Sequence, residues 1–230
     1  MSGALRATTR ARPRTSHVGP ATVTVMLALV ACVGGCARSK PPAQDAARAS
    51  LERQAKVCDG GNADACFVVA IRFERGLGAP VDLATSRTAW NRACALGAAR
   101  ACAQLGFRLE HGVPYPQDLT QAARAYRRAC DGDDPMGCYG YAEALYGGYD
   151  GARETARAEA LWGKLCTGKL GIACSRLGDE LAKGGHPAEA LDLWSRACGL
   201  GSRGACHKVK MLEQHAPGLL VRPAPTDTQL

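Results

Sequence analysis

The sequence predicts an all-α protein, a solenoid of about four to five helix pairs clipped together by disulfides. Three observations carry that reading. Cysteines recur in pairs eight positions apart, the pairs recur with a near-constant period, and small and apolar residues recur within each copy at helical spacing.

The pairs are Cys58 and Cys66, Cys94 and Cys102, Cys130 and Cys138, Cys166 and Cys174, and Cys198 and Cys206. They use ten of the twelve cysteines, and their first members lie 36, 36, 36 and then 32 residues apart. A fixed period in this range marks a repeat array rather than one globular core.

Each copy opens with a helix such as NADACFVVAIRFER. Counting from the second cysteine, a small residue stands at +4 (Ala70, Gly106, Ala142, Gly178) and an apolar one at +7 (Phe73, Leu109, Leu145, Leu181). At 3.6 residues per turn these share one face with the cysteine, which makes that face the packing stripe. Gly76, Gly112, Gly148 and Gly184 follow at +10, where a helix ends on a residue tolerant of positive φ. A loop such as GLGAPVD leads to Asp82 or Asp118, expected to cap the second helix. That helix, LATSRTAWNRAC in the first copy, carries a large aromatic four residues before the next cysteine pair: Trp90, Tyr126, Trp162 or Trp194. The last copy lacks four residues in KGGHPAEA, which explains the spacing of 32.

In one continuous helix, residues eight apart are separated by about 12 Å, whereas disulfide-linked Cα atoms lie about 4.4 to 6.8 Å apart. The chain therefore turns back inside each pair. Gly60 and Gly61, Gly97, Gly132, Gly168 and Gly201 are placed to allow it, so that each pair staples one helix pair to the next. Zinc sites and redox motifs need cysteines two to four residues apart, and the repeats contain no such spacing, so no metal and no cofactor are expected.

Disulfides require an oxidising compartment, and the N-terminus points the same way. Arg6, Arg10, Arg12 and Arg14 form a positive region without acids, followed by ATVTVMLALVA, an apolar stretch too short to span a membrane. The end of this segment resembles a bacterial lipoprotein signal with two candidate cysteines. LVAC at Cys32 is the better lipobox, whereas Cys36 leaves ten paired cysteines plus the lipidated one; an ordinary secretory cleavage near here is the alternative. The expected organisation is a signal over 1–35, a tether and first helix over 36–57, a repeat domain over 58–214 and a tail over 215–230. Without the four signal arginines the formal charge of +8 falls to about +4, with no run of like charges, which excludes nucleic acid as an expected partner.

The helix pairs, the LG dipeptides at Leu105 and Leu177, the GVPYPQD loop and the RRACDGDDPMGC junction resemble Sel-one-like repeats (SLR), relatives of tetratricopeptide repeats, over residues of about 43 to 214. The cysteine junctions narrow the resemblance to the secreted Helicobacter-cysteine-rich-protein-like branch. It implies right-handed α/α superhelices with a concave groove, disulfides joining adjacent repeats, and work as adaptors. Some members are described as penicillin-binding or weakly β-lactamase-active. The residues here give that activity no visible machinery: no serine has a lysine three positions on, SDN and KTG are absent, and His111, His186, His207 and His215 are scattered singly.

Recognition is expected on the first helices, at positions that differ between copies. Arg72, Arg75 and Arg108 make a basic cluster in the first two repeats, beside His111 and Tyr139. Such a cluster suits carboxylates, on an acidic protein segment or a peptidoglycan stem peptide. The expected function is an exported, lipid-anchored adaptor that binds protein or peptide in the cell envelope, facing periplasm or exterior; a β-lactamase-like enzyme and an envelope assembly factor are the alternatives. Cys36→Ser is expected to abolish incorporation of radiolabelled fatty acid and to release the chain as soluble protein. Loss of label with Cys32→Ser alone would put the lipid on Cys32 instead.

Overall fold

A computed structural model describes residues 42–215. Among these residues there are ten α-helices and no strand: α1 (Pro42–Asp59), α2 (Ala63–Arg75), α3 (Leu83–Ala95), α4 (Ala99–His111), α5 (Leu119–Asp131), α6 (Pro135–Gly147), α7 (Thr155–Thr167), α8 (Gly171–Lys183), α9 (Pro187–Gly199) and α10 (Arg203–His215). Each helix packs on the next, and α4 also touches α6, so this is the helix-pair solenoid the periodicity predicts. The even-numbered helices from α2 are the first helices of the repeats, and the odd-numbered ones are the second. The signal segment, Cys32, Cys36 and the C-terminal tail lie outside the described residues.

Local chemistry explains the boundaries. Asn62, Asp82, Asp118 and Asp134 each accept a hydrogen bond from the backbone N–H three residues on, satisfying a donor that the first helical turn leaves unpaired. Gly76, Gly112 and Gly148 close α2, α4 and α6 with φ near +70°. Gly184 departs from the expectation. In the shortened loop it stays right-handed at φ −74°, and Gly185 takes the left-handed conformation instead. Of the segment 36–57, expected to be a tether leading into a first helix, the described part is helical from Pro42 onward, where alanines and Asp45 in the first turn favour a helix.

All five cysteine pairs are disulfides, with Cα atoms 4.2 to 4.6 Å apart. Closing a loop of this length stabilises by about 2.5 kcal/mol in the chain-entropy account. The turn inside each pair has one conserved shape across the copies. The residue three past the first cysteine is left-handed in every one: Gly61, Gly97, Asp133, Lys169 and Gly201, with φ between 60° and 91°. In the third and fourth junctions this is not the glycine the sequence suggested, since Gly132 and Gly168 have φ of −95° and −70°. An L-residue with a Cβ pays about 1 kcal/mol or more for this conformation.

The core runs along the array. The aromatics Trp90, Tyr126, Trp162 and Trp194 are buried between the layers. The small +4 residues exist to receive them: a Cβ on Gly106 would come within 2.7 Å of the Tyr126 ring, and one on Gly178 within 2.8 Å of Trp194. Since the cost falls on a side chain at Lys169, Lys169→Gly should raise stability by about 1 kcal/mol and Gly97→Lys should lower it by a similar amount, as read by denaturant unfolding. Destabilisation by Lys169→Gly would show that the lysine side chain does more there than tolerate the turn.

Candidate functional site

The first helices meet one another through a repeated bridge. In the first junction Glu74 on α2 accepts hydrogen bonds from Trp90 Nε1 of α3 at 3.1 Å and from Arg108 Nε and Nη2 of α4 at 2.7 and 2.9 Å. The Arg108 guanidinium lies 4.4 Å above the Trp90 ring. Burial acts to raise the Glu74 carboxyl, but the Arg108 and Trp90 hydrogen bonds outweigh it and hold it below its ordinary value. Charge-assisted bonds of this kind are worth about 1.5 to 3 kcal/mol each.

The same device returns further along. Arg176 of α8 donates to Glu143 of α6 at 2.9 Å, and its guanidinium stacks 4.5 Å above Trp162. Arg176 also pairs with Glu180, whose carboxyl is held down at about 2: burial opposes this, and hydrogen bonds from Lys183, Arg176 and Tyr146 override it. Asp179 of α8 accepts from Trp194 Nε1 at 2.8 Å and from Lys208 of α10. Trp162 is the exception among the rings. Sixteen residues before it stands Tyr146 rather than a carboxylate, and its buried Nε1 has no hydrogen-bond partner.

The junction between α4 and α6 is built differently. Glu110 accepts from the Tyr126 and Tyr149 hydroxyls at 2.6 and 2.9 Å. Beside it opens a cavity of about 380 Å³ lined by α4, α6, Tyr126 of α5 and Ile172 of α8. One wall is Phe107 stacked on His111, with ring centroids 4.1 Å apart. The opposite wall holds Met136, Tyr139 and Glu143. Burial pushes both the Tyr139 phenol and the Glu143 carboxyl up; the Glu143 charge adds to the shift of Tyr139, while Arg176 opposes that of Glu143. Phe107, Met136 and Ile172 are 52%, 52% and 43% exposed. A larger cleft of about 770 Å³ lies at the first end of the array, between α1 and the α2–α3 loop.

The residues singled out in the sequence separate into two groups. Arg72 donates to the Ala47 and Leu77 carbonyls and to Ser50, locking α1 and the following loop to α2. Arg108 is held by Glu74 and Trp90, and Arg75 is exposed on the surface. The arginines thus do not converge on a common site, because the +6 position, off the cysteine stripe, faces a neighbouring helix rather than solvent. His111 and Tyr139 do come together, at the cavity. The sequence reading passed over Phe107, Glu110, Met136, Glu143 and Ile172. Met136 and Ile172 stand two residues before a second cysteine, where the earlier copies have Asp64 and Arg100, and that change from charged to apolar was the available signal. Among the described residues no group of three His, Cys, Asp or Glu is placed to hold a metal ion.

The chain matches no protein-family model and no curated protein. Its backbone resembles a Sel1 repeat protein from Oxalobacter formigenes, at TM-score 0.67 and 19% identity, over 77% of this chain and 74% of that one. It also resembles a protective antigen of uropathogenic Escherichia coli that displays an SLR fold, at TM-score 0.65 and 20% identity, over 75% of this chain. This chain spans only 38% of that antigen's length. Helicobacter pylori cysteine rich protein B matches over 72% of this chain and 96% of its own at 19% identity, and its TM-score of 0.37 is too low to add to the fold argument. The fold is therefore a helix-pair solenoid of the kind these Sel1-repeat structures display.

The bridges make a graded expectation for the rings. Trp90→Phe removes a donor from Glu74, whereas Trp162→Phe removes an unpaired N–H, so the second change should cost about 1 to 2 kcal/mol less than the first in denaturant unfolding. Equal costs would mean that the Glu74 bond adds nothing to stability.

Proposed function

We propose that the protein is an exported, lipid-anchored repeat adaptor that binds a protein or peptide on the face made by α4, α6 and α8, with no chemistry of its own. The observation that carries this reading is the cavity beside Glu110. There three large apolar side chains from successive repeats stand exposed together, next to a histidine and a tyrosine. Exposed apolar side chains gathered around a concavity mark a binding surface, whereas single ones need no explanation. Val57, Val81 and Val113, also exposed, lie outside it.

Export is supported by the five disulfides, which persist in an oxidising compartment. It is supported also by the arginine-led apolar segment ending at Cys32 and Cys36. A lipidated cysteine followed by a short tether would hold the array at a membrane surface.

A photo-crosslinking residue at Met136 should capture one partner protein in cells, saturably, and Phe107→Ser in the same chain should abolish the capture while leaving the melting temperature unchanged. The same crosslinker at Leu200, exposed on the turn between α9 and α10, should capture nothing. Equal yield from both positions would sink the assignment of this face.

A further inference from the structure

On the adaptor reading above, the cavity must accept some group of the bound chain, and its lining specifies which kind. Four carboxylates of the first helices sit at junctions between repeats: Glu74, Glu110, Glu143 and Asp179. Three receive a cation from the next repeat, namely Arg108, Arg176 and Lys208. In register, Arg108 stands six residues after its repeat's second cysteine, and Arg176 and Lys208 stand two after theirs. The matching positions on α6, counted from Cys138, are Gly140 and Ala144. Neither can carry charge, and Gly140 has no latitude, since a Cβ there would lie 2.4 Å from Tyr126 Cε1. Among the described residues the only basic group that pairs with Glu110 is His111, whose Nδ1 is 3.8 Å from Oε2 and 2.9 Å from the Phe107 carbonyl.

We propose that the missing cation is supplied by the partner: the cavity takes the ammonium or guanidinium of a lysine or arginine side chain carried on a basic segment of the bound polypeptide.

Several features of the site fit such a group. Glu110 keeps about one-fifth of its side chain exposed, and each of its oxygens, having accepted one phenol, retains a second lone pair for a donor from the cavity. Tyr149 is pushed up to about 12 by burial and by the Glu110 carboxylate, so it remains a donor that presents Glu110 as an acceptor. Phe107, Tyr139 and Met136 provide ring faces and thioether for the aliphatic stem and for cation–π contact, the role Trp90 plays for Arg108 one junction earlier. An acidic ligand is disfavoured. Glu110 and Glu143 would face it, and Arg176 already pairs with Glu143 and Glu180. The volume of about 380 Å³ lies at the small end of the range for ligand pockets and suits one long side chain with its neighbours.

The test uses three synthetic probes, Ac-Ala-Leu-Lys-Leu-Ala-NH2 and its norleucine and glutamate counterparts, with binding to the purified chain read by NMR chemical-shift titration. The lysine probe should bind at least about tenfold more tightly than the norleucine probe and the glutamate probe more weakly still, shifting resonances of Phe107, Tyr139 and Met136. Glu110→Gln should erase the preference for lysine over norleucine. His111→Glu, a change at an exposed position, should strengthen lysine binding, a gain that misfolding cannot imitate. Equal binding of lysine and norleucine, or preference for glutamate, overturns the cation while leaving an adaptor that captures its partner through Met136. Failure of all three probes overturns it as well, with the crosslinking result deciding the adaptor reading separately. If n-butylammonium alone shifts the same resonances as strongly as the lysine probe, the site is one for small amines and the polypeptide assignment fails.

Discussion

The disulfide-closed turn between repeats is the constraint on which the rest of the array depends. Each places a left-handed residue three positions after a cysteine and brings two Cα atoms within 4.6 Å, so the chain reverses through the same turn at every junction. The repeated turn brings each first helix against the one before it, so that a cation can cross the junction from +6, as in Arg108, or from +2, as in Arg176 and Lys208. The stability of a solenoid is close to a sum of unit and interface terms, and here the covalent clip sits at the interface.

The polar bridges follow from this regularity. A carboxylate, an indole and a cation from three successive helices are each partly buried, and each would be costly alone. Together they satisfy one another. The array departs from the pattern in two adjacent places. Tyr146 replaces the acceptor of Trp162, and Gly140 with Ala144 removes the cation from Glu110. Departures from a repeated local rule tend to fall where a protein works rather than where it merely folds, and the cavity lies against the second of them.

Much of the architecture was legible in the sequence because it is written several times. The period, the cysteine pairs, the +4 and +7 stripe and the aspartate caps at Asp82 and Asp118 are local rules that repetition makes visible. Asp133 and Lys169 were not legible as turn residues, because a glycine one position earlier offered a more ordinary candidate and nothing local says which of two neighbours takes positive φ. Arg72 and Arg108 were misplaced for a different reason. A single-helix stripe describes one contact face, whereas a first helix in this fold also touches its counterpart in the next repeat, and that face is set by superhelical geometry beyond any one helix. The cavity depends on residues from three repeats, so no window of one repeat could contain it.

The clips also determine how the chain carries load. A polypeptide held to a surface at its N-terminus and pulled through a bound partner transmits tension along its backbone, and at each junction the disulfide offers a shorter path than the turn it spans. With a sequence separation of eight, each closed turn withholds about 20 Å of contour from extension, even after its neighbouring helices have given way. The oxidised array is thus limited in its stretch, and in a reducing environment the same sequence would become longer and more compliant under load.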